Sequence, residues 1–170
     1  MEKMNKHFGV YPMEECDIPA VENLYKQLAY NQMSRDEYYE KDTDDFLHID
    51  NSKYFRYAFD SQDCSIFVAK YKDDIIGFIE MWFYKKDFYF NIEDYAYGIH
   101  LFVDKDKRTG TNPMLVLCEL YHACEKEAIR RGYRYIGGDV FEFNNQMQTI
   151  MKYFEFKPYR TRYIKRLDKK

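Results

Sequence analysis

The sequence predicts a single α/β domain in which a mixed sheet carries packed helices. The chain has 170 residues, 46% of them hydrophobic, and this length and composition fit one core in one domain over residues 1–170. Helical spacing in the N-terminal third gives way to strand formers from Cys64 onward, and a capped helix follows at Asn112. Such mixing of helices and strands is typical of a sheet covered by helices.

The N-terminal third predicts one strand and then helices. Residues 8–13 form the expected strand, and Asp17 with Pro19 in the next turn indicates the start of a helix. Ser34 indicates the start of a second, acidic helix that reaches residue 46. Ser52 indicates a third, short helix.

The middle of the chain predicts three strands. Residues 65–71 and 75–84 are rich in strand formers and flank the turn Asp73–Asp74, which is typical of a hairpin. A longer strand region covers 88–103 and is expected to be broken or bulged near 94–98.

The clearest predicted element is the helix that begins after Asn112. Asn112 is a favourable N-cap and Pro113 suits the first helical position. An apolar stripe predicts the buried face, and Gly132 ends the helix; the stripe consists of Leu117, Leu120, Tyr121, Cys124 and Ala128. A strand over 135–141, a short helix over 146–154 and a last strand over 159–167 complete the predicted fold.

Composition and charge exclude several classes of protein. The net charge of −3 and the pI of about 5.8 give no general signature of nucleic-acid binding. The four cysteines show no metal-binding spacing, so no metal site and reduced thiols are expected. No apolar run approaches the roughly 20 residues of a membrane span, and we expect a cytoplasmic protein without a membrane partner.

Residues 99–167 resemble the GNAT superfamily of N-acetyltransferases. Residues 99–103 are similar to its fourth strand, and the spacing from Val103 to Arg108 is similar to the family's V-x-x-x-x-R step into a pyrophosphate loop. Asn144, Phe156 and the closing run 161–167 are similar to later family positions. Within the family, members encoded by bacteriophages are the most similar. The resemblance implies a mostly antiparallel sheet flanked by helices, with strands 4 and 5 splayed around a cofactor.

The resemblance also implies acetyl-coenzyme A as cosubstrate. The pantetheine would bind the backbone of Leu101, Phe102 and Val103. A turn that leads into a helix N-terminus supplies the N–H donors that a diphosphate needs, and Lys and Arg add cationic partners. The implied cofactor-binding residues beyond the strand are Lys107, Arg108, Thr109, Gly110, Thr111, Asn112, Met114 and Asn144.

The sequence departs from the family pattern at two places. The loop after Lys107 has no complete glycine pattern in either register. Met151 stands where many members place a tyrosine that protonates the thiolate, and a thioether cannot donate that proton. Tyr153 is the alternative general acid or, equally, an ordinary packing residue.

Amine acylation also requires a group that removes the ammonium proton. The candidate bases are Glu80, Glu93, Asp94 and His100, with Glu80 and Glu93 ranked slightly above His100. Glu80 lies in an apolar run and is either solvent-facing or an unusual buried carboxylate. The acidic, aromatic segment 38–59 is interpreted as an acceptor wall or as a pair of solvated helices.

The leading functional hypothesis is therefore direct transfer of acetyl from acetyl-coenzyme A to a primary amine. The acceptor would be a small molecule, a protein lysine or N-terminus, or a modified nucleobase. The alternative is a GNAT-fold binding or interaction protein that has lost catalysis. A third, weaker hypothesis gives the basic C-terminal end a role on nucleic acid. The aromatic residues permit a homodimer without requiring one.

Overall fold

The computed structural model describes residues 8–36, 51–84, 95–104, 106 and 112–165. The chain divides into two compact units, Met1–Gly138 and Asp139–Lys170. Among the described residues, the first unit contains the sheet and three α-helices, and the second contains one short α-helix. That residues 1–170 form a single domain stays a prediction.

A five-stranded sheet forms the centre of the first unit. Its strands are β1 (Phe8–Pro12), β2 (Cys64–Tyr71), β3 (Asp74–Tyr84), β4 (Tyr95–Val103) and β5 (Tyr135–Gly138). The order in space follows the order in the chain. The first four strands pair antiparallel, and β5 pairs parallel to β4. The prediction of a mixed, mostly antiparallel sheet is confirmed.

Three helices pack on this sheet, and a fourth belongs to the second unit. They are α1 (Ile18–Met33), α2 (Ser52–Asp60), α3 (Pro113–Arg130) and α4 (Asn145–Tyr153). Asn112 caps α3 as predicted, because its Oδ1 accepts the Met114 N–H at 3.0 Å. Gly132 follows α3 with a φ of 82°, a conformation that glycine adopts without strain.

The two faces of the sheet bury separate apolar clusters. Side chains alternate across a strand, so Phe78 and Ile79 of β3 point to opposite faces. One cluster includes Phe78 with Leu24 of α1 and Phe55 of α2. The other includes Ile79 with Leu120 of α3. Helices therefore cover both faces of the sheet.

The end of α3 is fastened to the sheet by Arg131. Its guanidinium carbon lies 4.0 Å from the centroid of the Phe83 ring, and its Nη2 donates to Ser65 Oγ at 3.1 Å. Its Nε also donates to Glu127 Oε1 at 2.7 Å. One side chain thus joins α3 to β2 and β3 through a cation–π contact and hydrogen bonds.

Two N-terminal expectations need correction. Asp17 flanks α1, but its side chain makes no cap hydrogen bond to that helix. Its Oδ2 instead accepts the Glu14 N–H, and its Oδ1 pairs with Lys70 Nζ at 2.8 Å. Ser34 is the C-cap of α1, with its Oγ donating to the Asn31 carbonyl. The remainder of the predicted acidic helix, 37–46, lies outside the described residues.

The buried face of α3 is shifted from the predicted stripe. Val116, Leu120, Cys124 and Ala128 are buried, whereas Leu117 and Tyr121 are only partly so. Residues 114–117 are all apolar, so periodicity alone cannot fix which side of the first turn faces the sheet.

The predicted last strand, 159–167, is absent over residues 159–165. These residues form no described strand, and Tyr163 is 91% exposed. Strand propensity reflects packing against neighbouring strands, and the aromatic–basic alternation of this segment is exposed rather than half-buried. Residues 166 and 167 lie outside the described part of the chain.

The described residues contain no helix with the length and hydropathy of a bilayer-spanning segment. Over the same residues, no group of three or more His, Cys, Asp or Glu side chains is arranged to hold a metal ion. All four cysteines are free.

Candidate active site

A bulge in β4 sets the position of the candidate site. Glu80 of β3 pairs with His100, but its neighbour Met81 pairs with Gly98, so Ile99 is the extra residue. A bulge was expected near 94–98, and it lies one residue further along the chain. Because residues opposite each other share a face, the bulge places His100 beside Glu80 on the α1 and α2 side of the sheet.

Glu80 is a fully buried carboxylate with 0% exposure. Its Oε1 accepts hydrogen bonds from the Tyr54 hydroxyl of α2 and from Trp82 Nε1, the latter at 2.5 Å. Its Oε2 lies 2.7 Å from His100 Nδ1. Three donors from three elements therefore satisfy this carboxylate, which burial would otherwise make costly.

The surroundings shift the pKa values of the groups in this cluster. Burial raises the pKa of Glu80, but hydrogen bonds and attraction from His100, with the donors Tyr54 and Trp82, outweigh it and hold the pKa below its ordinary value. Burial and the hydrogen bond to Glu80 raise the pKa of Tyr54 well above its ordinary value. Glu80 is therefore ionised and Tyr54 is a neutral donor near pH 7.

Aromatic rings hold the His100 imidazole in place. Tyr25 of α1 meets it edge-on with centroids 4.9 Å apart, and Tyr54 does so at 6.2 Å. The imidazole side chain keeps 19% of its surface exposed. Its Nδ1 is engaged by Glu80, so Nε2 is the ring nitrogen that this carboxylate does not contact.

Beyond the bulge, one edge of β4, called here the free edge, pairs with no strand among the described residues. β5 ends its pairing at Gly138 opposite Gly98, while β4 continues to Val103. The Asp104 N–H donates to the Ile76 carbonyl, so by antiparallel alternation the backbone groups of Phe102 face β3. Those of Leu101 and Val103 face the opposite edge, where no described strand pairs with them.

The first turn of α3 has few free donors. Pro113 has no N–H, and the N–H of Met114 is taken by the Asn112 side chain. Two of the first three N–H groups of this helix are thus not available to an anion. The five residues expected to contribute the remaining phosphate contacts, 107–111, lie outside the described part of the chain.

The second unit contains two of the predicted site residues. Asn144 caps α4, because its Oδ1 accepts the Met147 N–H at 3.1 Å. Tyr153 ends α4 with 68% exposure, and Met151 is partly buried. An exposed tyrosine hydroxyl is accessible to a ligand, which is compatible with a general acid. The general-acid role of Tyr153 stays a prediction.

The structure brings together two of the four predicted bases, Glu80 and His100. Glu93 and Asp94 lie outside the described residues. Tyr54 and Trp82, which hold Glu80 in place, were not among the predicted catalytic residues, although Tyr54 lies in the segment 38–59 interpreted as an acceptor wall. The available signal was Glu80 itself, since a carboxylate inside an apolar strand requires hydrogen-bond donors nearby.

No protein-family model matches this chain, and no curated protein sequence matches it significantly. Solved structures do match. Aminoglycoside N-acetyltransferase AAC(6')-Iy, in complex with CoA, aligns over 99% of both chains with a TM-score of 0.71 and 15% identity. A tetramutant of the BH1408 protein from Bacillus halodurans aligns over 94% of this chain and 99% of its own, with a TM-score of 0.76 and 14% identity.

A third similar structure is the ribosomal-protein-alanine N-acetyltransferase from Brucella melitensis. It aligns over 94% of this chain and 99% of its own, with a TM-score of 0.64 and 10% identity. Identities this low establish a shared fold and no more. The predicted fold class is confirmed by these alignments and by the sheet described above.

Proposed function

We propose that this chain, which has the GNAT N-acetyltransferase fold, transfers an acetyl group from acetyl-coenzyme A to the nitrogen of an amine. The observation that carries the proposal is the free edge of β4 beside a buried, ionised carboxylate and a partly exposed histidine. An edge with unpaired amides can bind a ligand that itself contains amides.

The residues of the first unit fit the pantetheine arm. The backbone groups of Leu101 and Val103 face the free edge, and they alternate with those of Phe102, which face β3. Leu101 and Val103 are therefore the proposed pantetheine contacts. Phe102, which lies between them, pairs with β3 through its backbone. Solved structures of the same fold contain CoA and a CoA-linked bisubstrate analogue, which supports acetyl-coenzyme A as the cosubstrate.

The phosphate contacts are proposed for the segment that leads into α3. The Asn112 side chain caps α3 by accepting the Met114 N–H, and this contact orders the helix end that an anion would approach. The proposed phosphate partners are Lys107, Arg108 and the backbone of 109–111. Asn144 and Tyr153 of the second unit remain proposed cofactor-binding and acid residues, respectively.

The chemistry divides between the cosubstrate and the chain. When bound, acetyl-coenzyme A supplies a thioester carbonyl that a neutral amine can attack, forming an N–C bond as the C–S bond breaks. The residues of the chain orient the acceptor and remove the ammonium proton before attack. Glu80, Glu93 and His100 stay the proposed candidates for this second task.

A small-molecule amine is the proposed acceptor. Structures of the same fold include an aminoglycoside acetyltransferase in complex with sisomicin. The Tyr54, Trp82 and Tyr25 rings around Glu80 and His100 would favour a cationic amine through cation–π attraction. A protein N-terminus is the other acceptor class to include in a screen, because the Brucella melitensis enzyme is a ribosomal-protein-alanine acetyltransferase.

Two variants of one residue test the free-edge contact. Leu101→Pro removes an N–H that faces away from β3, and Leu101→Ala shortens the same side chain but keeps the N–H. We expect acetyl-coenzyme A to bind the proline variant about 10-fold more weakly than the alanine variant by calorimetry, as expected for one lost hydrogen bond. Circular dichroism checks that both variants fold.

The same measurements can reject the proposal. Absence of heat and of a thermal shift with acetyl-coenzyme A in the unmodified protein would contradict it. Equal affinities of the two Leu101 variants would show that the pantetheine does not follow β4. Mass-spectrometric detection of acetylated product from a panel of amines tests the reaction itself.

A non-catalytic binding protein of the same fold is the second candidate. It is favoured by Met151 at the position of the expected acid and by the first turn of α3, where Pro113 has no N–H and the Met114 N–H is taken by Asn112. Binding of acetyl-coenzyme A without product from any amine in the panel would favour this alternative.

A further inference from the structure

We propose, as an extension of the proposed acetyltransferase function, that His100 accepts the ammonium proton at Nε2 and that Glu80 is its positioning residue. The carboxylate would fix the tautomer of the ring rather than meet the amine itself. This assignment reverses the order in which the sequence ranked the two residues as bases.

The burial of Glu80 argues against a direct role for this carboxylate. Its side chain is 0% exposed, and Tyr54 and Trp82 both donate to Oε1. The remaining oxygen, Oε2, is engaged by His100 Nδ1 at 2.7 Å. A base must reach within hydrogen-bond distance of the proton that it removes, and this carboxylate has no exposed surface from which to do so.

The pKa of Glu80 supports the same conclusion. It lies below its ordinary value, because the donors around the carboxylate outweigh its burial. A more acidic carboxyl is a weaker base, so this environment stabilises a permanent negative charge. A permanent charge beside an imidazole suits an orienting role.

The contact between Glu80 and His100 selects one tautomer. An ionised carboxylate only accepts hydrogen bonds, so the hydrogen of the neutral imidazole lies on Nδ1. The lone pair is then on Nε2, which points away from Glu80. With 19% of its side-chain surface exposed, His100 has the access that Glu80 lacks.

The position of His100 on β4 places it beside the proposed acyl site. It lies between the bulged Ile99 and Leu101, whose backbone faces the free edge. Consecutive Cα atoms are about 3.8 Å apart, so the base and the proposed pantetheine contact belong to adjacent positions of one strand. The imidazole points to the α1 and α2 face, which leaves the free edge of β4 to the cosubstrate.

The proton transfer is balanced without another reactant. Neutral His100 takes one proton from the ammonium, which leaves a neutral amine and an imidazolium whose charge Glu80 stabilises. The second proton leaves the nitrogen as the amide forms and ends on the departing thiolate, while His100 releases its proton to solvent.

Several titratable groups surround the imidazole from the packed elements. Tyr25 of α1, Tyr54 of α2 and Glu80 of β3 contact it, and Cys64 of β2 and Tyr84 of β3 interact electrostatically with Glu80. Burial raises the pKa of Cys64 to about 12, and the pKa values of Tyr54 and Tyr84 are also raised, so these three are neutral near pH 7. Among these groups with shifted pKa values, Glu80 carries the charge that acts on the imidazole.

Nitrogen NMR of the unliganded protein tests the tautomer without any turnover. We expect the His100 resonances to report hydrogen on Nδ1 and a free Nε2 in the unmodified protein at high pH. Glu80→Gln presents an amide donor to Nδ1, so we expect the tautomer to reverse. Hydrogen on Nε2 in the unmodified protein would overturn the proposal, and His122 on α3 serves as the internal reference.

Kinetics of His100→Gln test the role in proton transfer. We expect kcat to fall by about 10²–10⁴-fold, with a smaller change in KM, and the acid limb of the pH–rate profile to disappear. His122→Gln is the matched control and should retain the rate of the unmodified protein. A His100→Gln enzyme that keeps both its rate and its acid limb would overturn the proposal.

The two proposals fail in distinguishable ways. Loss of the acetyltransferase function is recognised by absent acetyl-coenzyme A binding and absent product in the unmodified protein. Loss of the His100 assignment is recognised by the wrong tautomer, or by full activity of His100→Gln while the unmodified protein still binds and turns over acetyl-coenzyme A.

Discussion

The two faces of β3 bury different chemistry from adjacent residues. Toward α3, the strand presents Ile79, Met81 and Phe83, all buried in an apolar cluster. Toward α1 and α2, it presents Phe78, Glu80 and Trp82. Met81 is 2% exposed and Glu80 is 0% exposed, so the contrast is in chemistry and not in depth.

This contrast separates the residues that stabilise the sheet from the residues that the sheet positions. A buried charge with three donors is often less favourable to stability than an apolar side chain of similar volume. The α3 face follows the rule for a stable core, and the α1 and α2 face departs from it at Glu80. Departures of this kind are typical of functional sites, and the proposed function uses this one.

The largest effect is expected when a carboxylate is placed on the apolar face. Met81→Glu would bury a charge without the donors that surround Glu80, and we expect the free energy of unfolding to fall by about 3–5 kcal/mol. Met81→Leu is the matched control, with an expected loss below about 1.5 kcal/mol. Urea unfolding followed by the fluorescence of Trp82 measures both. Equal stabilities of the two variants would contradict the conclusion that the sheet face covered by α3 excludes water.

Cavities on the two faces should cost similar stability but differ in their effect on the site. Leu120→Ala and Leu24→Ala each truncate a fully buried side chain, with an expected loss of about 2–5 kcal/mol. The His100 imidazole resonances should stay unchanged in Leu120→Ala and shift in Leu24→Ala. The reason is that Leu24 directly precedes Tyr25, whose ring contacts the imidazole. Identical spectra for the two variants would remove the distinction between the faces.

A smaller effect is expected from one donor to Glu80. Tyr54→Phe removes the hydroxyl that bonds Oε1, and a hydrogen bond to a charged group contributes about 1.5–3 kcal/mol. Tyr57→Phe on the same helix is the control, because Tyr57 is 64% exposed and should change stability by less than about 0.5 kcal/mol. If both variants lose the same stability in urea, the Tyr54 hydroxyl does not stabilise the carboxylate.

The smallest effect concerns the ion pairs at the end of α3. Hydrogen bonds from Arg130, opposed by burial and reinforced by Arg131, lower the pKa of Glu127 to about 2. Because an unfolded Glu titrates near about 4.3, the stability from this group is complete above that pH and is lost as pH falls toward 2. The difference in urea midpoint between the unmodified protein and Glu127→Gln should therefore shrink between about pH 5 and pH 2. A difference that stays constant with pH would contradict the ion pairs.

Local signals in the sequence predicted the four described α-helices and the strands of the hairpin, but not the end of α1 at Ser34. Asn112 and Pro113 determine the start of α3 through a cap and a fixed φ, and both act within four residues. The last strand was wrong over 159–165 because pairing depends on a neighbour that the segment itself does not specify. The location of the β4 bulge was predicted to within one residue, but its consequence for His100 was not.

The candidate site was less predictable, because its contacts join distant parts of the chain. Glu80 lies 26 residues from Tyr54 and 20 from His100. Alternation along β3 left Glu80 either solvent-facing or buried, since a single strand does not reveal which of its faces a helix covers. Only the packing of α2 against β3 decides that the carboxylate is buried and that His100 is the exposed partner.

The pairing of β1 has a consequence for the order of assembly during synthesis. Phe8 pairs with Tyr71 and Pro12 with Phe67, so about 55 residues are translated between this strand and its partner. At about 5–20 residues per second, the nascent β1 segment waits several seconds on the ribosome before β2 emerges. The β2–β3 hairpin closes a much shorter loop and can form sooner, so β1 joins a template that already exists. Slowing translation between α1 and β2 would then lengthen the exposure of β1 to chaperones without changing the finished fold.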